Sequence, residues 1–209
     1  MKYIIMCGGY VCNWATPKHL YKYKGTPIIE RTVNLLKKCG IKKEDIIITT
    51  SPKWVETYRQ FGVEVIPYDS NKVPFVWLDA FYFIDEPVCY LFGDVVFSAK
   101  AIKTIIKTET DDIEFFASAP PFAKNYPKKW AEPFAFKVVN YKRFRECVLH
   151  TKECARYGLW YRRPPIAWEL WQIIKHTRPN IINYTNYTVI NDYTCDVDNP
   201  SELKQWQNI

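Results

Sequence analysis

The sequence predicts an α/β fold, a mostly parallel mixed sheet flanked by helices, and three observations predict it. Through the first half, short apolar runs alternate with segments whose apolar residues recur every three to four positions, the mark of strands alternating with amphipathic helices. Gly40 and Gly62 stand just past two such helical segments, where a left-handed residue stops the helix. The run "VCYLF" is apolar without a break, as a strand covered on both faces of a parallel sheet must be.

Taken in order, "KYIIM" from Lys2 to Met6 is a buried strand. "IIERTVNLLKKCG" then sets Ile28, Ile29, Val33, Leu35 and Leu36 near one helical face, with Gly40 as its stop. "DIIITTS" is the second strand, "PKWVETYRQFG" a helix closed by Gly62, and "VEVIPYD" the third strand. An apolar helix is expected over 73–85, "VPFVWLDAFYFID", and a fourth strand over "VCYLFGDVVF". Four strands alternating with helices imply right-handed crossovers. Ser98 is the natural N-cap of the helix "SAKAIKTIIK".

The second half changes character. "IEFFASAP" and "WAEPFAFKVVN" read as strands around a Pro- and Lys-rich loop, "PPFAKNYPKKW", placed to cover one end of the sheet. Helices follow at "YKRFRECVLHTKECA" and "PIAWELWQIIKHT", then the strand-like "NIINYTNYTVI". The tail "CDVDNPSELKQW" carries Asn199 as N-cap, Pro200 at the first helical position and Glu202 three residues after the cap.

A length of 209 residues fits one domain over 1–209, with a nucleus of alternating elements to about residue 110 and an inserted half over about 111–195. The composition, 48% hydrophobic and 24% charged, excludes a disordered chain. The net charge of +7 favours anionic partners. The basic residues come as pairs, among them Lys37-Lys38, Lys128-Lys129 and Arg162-Arg163, which read as solvated faces and not as a nucleic-acid surface. Seven cysteines with no Cys-x-x-Cys pair fit a reduced, cytoplasmic protein. No apolar run reaches the length of a membrane span, so neither a membrane nor a secretory route is expected, and the sequons at Asn183 and Asn186 carry no glycosylation meaning.

In a parallel sheet, ligands bind beyond the carboxyl ends of the strands. Three segments fall there: Cys7 to Lys18, Gly93-Asp94, and Asp196 to Asp198. Gly8 and Gly9 let backbone N–H groups approach an anion, and Lys18 adds a point charge. Asp94 ends an interior strand with a carboxylate. Asp196 and Asp198, two apart on a strand, can join it around one hard cation, most simply Mg2+ held by carboxylates and substrate phosphates. The three histidines have no catalytic spacing, and His19 reads as a helix or loop residue.

"MCGGYVCNWATPKHLYKYKGTPIIERTVNLL" resembles the opening signature of the nucleotidyltransferases that make nucleotide sugars and related activated alcohols, the sugar-1-phosphate, phosphocholine and molybdenum-cofactor nucleotidyltransferases. "WLDAF", "FGDVVF" and "DVDNPSEL" resemble that family's base-contacting segment, first metal aspartate and second metal motif, in the same order along nearly the whole chain. The resemblance implies a Rossmann-like sheet with a small acceptor-binding insertion, and a reaction joining a nucleoside triphosphate to a phosphorylated sugar or alcohol with release of pyrophosphate. It implies that Cys7, Gly8, Gly9, Asn13, Lys18 and Asp79 bind the nucleotide and that Asp94 and Asp198 hold Mg2+, with Asp196 as an optional third ligand. Lys18, Asp94 and Asp198 are then the catalytic residues. A phosphate acceptor is already ionised, so no general base is needed.

The chain departs from the family's Gly-Gly-Tyr-Gly-x-Arg at Val11 and Asn13, losing a bidentate guanidinium. Acceptor-binding candidates are Lys129, Trp130, Glu132, Arg163 and Glu169, where basic, acidic and aromatic residues interleave. The expected function is a Mg2+-dependent nucleotidyltransferase, CTP or UTP favoured at family level, serving surface polysaccharide precursors. A nucleotide-binding relative without turnover and a glycosyltransferase of related fold are the alternatives. The strand-like "IINYTNYTVI" either offers an edge for a homodimer or closes the core.

Overall fold

The structure, a computed structural model, describes residues 1–8, 16–68, 70, 77–119, 131–158, 164–178 and 182–206. Its elements run β1 (Lys2–Cys7), β2 (Lys22–Tyr23), β3 (Thr26–Pro27), α1 (Ile28–Lys38), β4 (Ile46–Thr50), α2 (Val55–Arg59), β5 (Glu64–Pro67), β6 (Val88–Phe92), β7 (Val95–Val96), α3 (Ala99–Lys107), β8 (Ile113–Ala117) and β9 (Pro133–Val138). They continue with α4 (Tyr141–Arg156), α5 (Ala167–Ile174), β10 (Thr188–Val189), β11 (Cys195–Asp196) and α6 (Pro200–Trp206).

Among the described residues the main sheet has seven strands in the order β10-β8-β9-β6-β1-β4-β5. The strands β5, β4, β1 and β6 are parallel, with β4, β1 and β6 buried along nearly their whole length, and β8 pairs in parallel with β10. β9 runs antiparallel to both β6 and β8. The sheet is therefore mostly parallel, with one reversed strand where the second half joins the first. β1 is an interior strand between β6 and β4 with Ile4 and Ile5 fully buried, and Ile29, Val33 and Leu36 of α1 belong to the same core. Gly40 and Gly62 take φ of +88° and +68°, the left-handed stops that the sequence requires after α1 and α2.

Three expectations are corrected. No helix forms over the described part of 73–85: Leu78–Ala80 make one 3-10 turn, and Phe81 is already extended at φ −72°, ψ 106°. Aromatic packing outweighs helical periodicity here. The Phe81 ring lies 5.0 Å from both Tyr90 and Phe144 and 6.0 Å from Phe136, while Tyr68 and Tyr90 hydroxyls donate to the carbonyls of Phe81 and Tyr82. The expected fourth strand breaks in two, because β6 stops at Phe92 and, after Gly93-Asp94, β7 pairs antiparallel with β11 outside the main sheet. Of the strand expected over 180–190, the described residues keep only Thr188–Val189, aligned with Phe116 and Ala117 of β8.

Lys137 of β9 is 7% exposed, and its ammonium donates to the carbonyls of Ile105, Ile106 and Thr108 at 3.3, 2.9 and 2.6 Å. A cation at the C-terminus of α3 satisfies carbonyls that the helix itself leaves open.

Candidate active site

The described segments that carry Cys7, Gly8 and Asp94 leave the carboxyl ends of neighbouring strands. β1 and β6 are neighbours with Met6 opposite Phe92, so Cys7-Gly8 and Gly93-Asp94 emerge side by side, and Gly93 N–H donates to Met6 O at 3.0 Å. The contact requires glycine: a Cβ on Gly93 would stand 2.5 Å from Met6 O, 2.6 Å from Cys7 Sγ and 3.0 Å from His19 Cδ2. Asp94 is thus set immediately over the end of β1.

The β7–β11 ribbon brings the second acidic segment to it. Asp196 pairs with Val95 and Cys195 with Val96, and Val197 N–H donates to Asp94 O at 3.0 Å. Asp198 follows directly, with its N–H on Glu202 Oε2 at 2.8 Å, and Asn199 Oδ1 accepts from Glu202 N–H at 3.2 Å as the N-cap of α6. Ser98 caps α3 through Ala101 N–H at 2.8 Å. Thr194 Oγ1 and Asp192 Oδ2 in turn bind Ser98 at 3.0 and 2.6 Å, anchoring the chain just before β11.

Lys18, in a 3-10 turn spanning Lys18–Leu20, projects between the two acidic segments. Its Nζ lies 2.5 Å from Asp94 Oδ2 and 4.0 Å from Asp198 Oδ1, with Lys18 and Asp94 side chains 18% and 27% exposed. Burial alone would lower the Lys18 pKa, but the charge and hydrogen bond of Asp94, with the charges of Asp198 and Asp196, outweigh it and raise it. Burial likewise works to raise Asp94, and the Lys18 charge, aided by His19 and the hydrogen bond, brings it below the ordinary carboxylate value. Both groups are therefore ionised at neutral pH.

Beneath them His19 is buried, its Nδ1 2.9 Å from the Tyr58 hydroxyl. Burial pushes its pKa down to about 4, with the Asp94 charge acting the other way, so the imidazole is neutral. Cys7 is buried as well, and burial, followed by the Asp94 charge, holds its thiol well above the usual range and keeps it protonated. Gly8 O accepts from Ser70 Oγ at 3.1 Å, and a Cβ on Gly8 would stand 3.1 Å from Tyr68 O.

The sequence candidates are thus distributed unevenly. Lys18, Asp94 and Asp198 come together, and Asp196 reaches Lys18 only as the last of its electrostatic influences. Asp79 forms an ion pair with Lys152 of α4. Glu132 is buried and its Oε2 accepts from Asp196 N–H at 3.0 Å; Glu169 is buried and accepts from Ile166 N–H at 2.9 Å, closing the first turn of α5. Gly9, Asn13, Lys129, Trp130 and Arg163, with Val11, lie outside the described residues. Sequence reasoning named the Gly93-Asp94 segment and His19 but missed the close packing that requires Gly93 and the burial of His19. A glycine just ahead of a strand-end aspartate was the available signal for the first; the burial of His19 has none, since its partner Tyr58 is 39 residues away.

Two carboxylates facing one cationic nitrogen make a hard-oxygen donor set suited to Mg2+. Among the described residues no group of three or more His, Cys, Asp or Glu side chains is arranged to hold a metal ion, so oxygens from a substrate would have to complete such a site.

A cation and two carboxylates thus stand at the carboxyl ends of a mostly parallel sheet, where open α/β folds bind their ligands. The family model of the MobA-like NTP transferase domain matches residues 3–147, and the chain belongs to that family. It is a nucleotidyltransferase.

Solved structures similar to it share the fold. A Bacillus anthracis protein assigned as a glucose-1-phosphate thymidylyltransferase, in complex with sucrose, is 16% identical with a TM-score of 0.59, covering 99% of this chain and 94% of its own. The inositol-1-phosphate CTP transferase from T. maritima is 14% identical with a TM-score of 0.58, covering 100% and 96%. The 4-diphosphocytidyl-2C-methyl-D-erythritol synthase from Anaerococcus prevotii is 11% identical with a TM-score of 0.57, covering 99% and 96%. A comparison with proteins of curated function gives no match. Among the described residues no helix is long and apolar enough to cross a membrane.

Proposed function

We propose that the protein is a Mg2+-dependent nucleotidyltransferase that joins CTP or UTP to a sugar phosphate or another phospho-alcohol, releases pyrophosphate, and supplies an activated precursor for surface polysaccharide. The observation that carries this reading is the Lys18 ammonium held between Asp94 and Asp198 at the strand ends. Two structural neighbours, an inositol-1-phosphate CTP transferase and a protein assigned as a glucose-1-phosphate thymidylyltransferase, support the acceptor class and the pyrimidine base.

In this reading Asp94 and Asp198 would hold Mg2+, which when bound supplies positive charge for the triphosphate. Lys18 offsets charge that grows on the pyrophosphate as it leaves. An acceptor phosphate oxygen attacks the α-phosphorus, the bond to the β-phosphate oxygen breaks, and the electron pair departs with pyrophosphate. The raised Lys18 pKa keeps its charge throughout the neutral range. The buried His19–Tyr58 pair holds the turn that carries Lys18.

The test is pyrophosphate release from each of the four ribonucleoside triphosphates with a panel of sugar 1-phosphates and phospho-alcohols, with Mg2+ or with EDTA. The reading expects a pyrimidine triphosphate to give Mg2+-dependent, acceptor-dependent pyrophosphate that Asp94→Asn abolishes. Release with ATP or GTP alone overturns the base, and release that persists in EDTA overturns the metal.

A further inference from the structure

β11 is two residues long, and β7 occupies one of its edges through the Asp196–Val95 and Cys195–Val96 pairs. The Asp196 N–H faces away from β7 and meets the Glu132 carboxylate at 3.0 Å. A side chain here takes the place that a third strand would fill, since a strand edge left without a partner inside the protein is costly. Glu132 is only 4% exposed, and its own backbone is fixed: its carbonyl accepts from Ser118 N–H at 2.9 Å and its N–H donates to Ser118 Oγ at 2.8 Å. One residue earlier, Ala131 O accepts from Trp168 Nε1 at 3.1 Å, and Ser118 O accepts from the Tyr187 hydroxyl at 3.1 Å. Ser118, Trp168 and Tyr187 thus lock the base of the Glu132 side chain to β8, α5 and the segment before β10.

Glu132 therefore connects this fixed base to the segment that carries Asp198. We infer that Glu132 is a positioning residue: its carboxylate oxygen fixes the register of Asp196–Asp198 against Asp94 and thereby sets the affinity of the site for a magnesium–triphosphate complex. The inference rests on the reading of the site given under Proposed function. In this role Glu132 acts through the Asp196 backbone.

Three substitutions separate position from charge. Glu132→Gln keeps an amide oxygen at the same reach, Glu132→Asp withdraws the oxygen by one methylene, beyond hydrogen-bond distance, and Glu132→Ala removes it. The readout is the calorimetric Kd for the Mg2+ complexes of the four ribonucleoside triphosphates, with the wild type titrated first. The expected result is a Kd raised about 10- to 100-fold in Glu132→Ala and Glu132→Asp, and within about threefold of wild type in Glu132→Gln. If Glu132→Ala does not fold, the Asp and Gln variants decide. Equal affinity in every variant overturns the strut alone. A Gln variant as weak as Ala or Asp also overturns it, because charge and not position would then be what matters. A wild type that binds none of the four overturns the reading of the site, and the strut with it.

Discussion

Lys18 and Asp94 lie 2.5 Å apart and shift each other's pKa in opposite directions. Asp94, lowered, contributes stability that is present above its unfolded value and lost as pH falls through its folded one; Lys18, raised, contributes below its unfolded value and loses it as pH rises through its folded one. His19 acts in a third window. Its pKa drops from 6.5 to about 4, so its contribution is present above pH 6.5 and is lost as pH falls from there towards 4. Urea unfolding should therefore show the wild type losing about 2–3 kcal/mol more than His19→Gln between pH 7 and pH 4.5. Parallel pH profiles for the two proteins would contradict this. Gly93 gives a second residue-scale prediction. Gly93→Ala brings a methyl within 2.5 Å of the Met6 carbonyl, so it should cost about 1–3 kcal/mol by denaturant melts and lower turnover by displacing Asp94.

At the scale of elements, the second acidic segment depends on short structures that hold one another: β7, β11 and the first turn of α6. Asn199→Ala removes the cap and should cost about 1 kcal/mol, read as a lower melting temperature, and should weaken triphosphate binding if α6 fixes Asp198. Lys137→Met leaves two α3 carbonyls and that of Thr108 just beyond it without their cation and should cost about 1–3 kcal/mol, with no effect on ligand affinity because it sits at the opposite end of β9 from Glu132. Much of this was legible in the sequence. The alternation of the first half, the stops at Gly40 and Gly62 and the caps at Ser98 and Asn199 are local features, written within a few residues of where they act. The break at Gly93-Asp94, the antiparallel β9 and the loss of helix after Leu78 were not legible, because β11, β8 and the ring cluster around Phe81 decide them from distant parts of the chain.

For the whole molecule, the sheet gathers residues from both ends of the chain: Lys18 near the start, Asp94 in the middle, Asp198 near the end. That convergence was legible through motif order, while the backbone partners of the Glu132 and Glu169 carboxylates were not. Both stood in polar, aromatic-rich stretches suited to an acceptor, yet both carboxylates accept backbone N–H groups inside the protein. In the proposed function Lys18, Asp94 and Asp198 form one magnesium–triphosphate site. Thermal unfolding of wild type and Asp94→Ala with each ribonucleoside triphosphate, with and without Mg2+, tests it most directly. At a hundredfold its Kd a ligand should stabilise the wild type by about 2.7 kcal/mol, need Mg2+ to do so, and leave Asp94→Ala unmoved. Equal stabilisation of both proteins, or stabilisation independent of Mg2+, would contradict it.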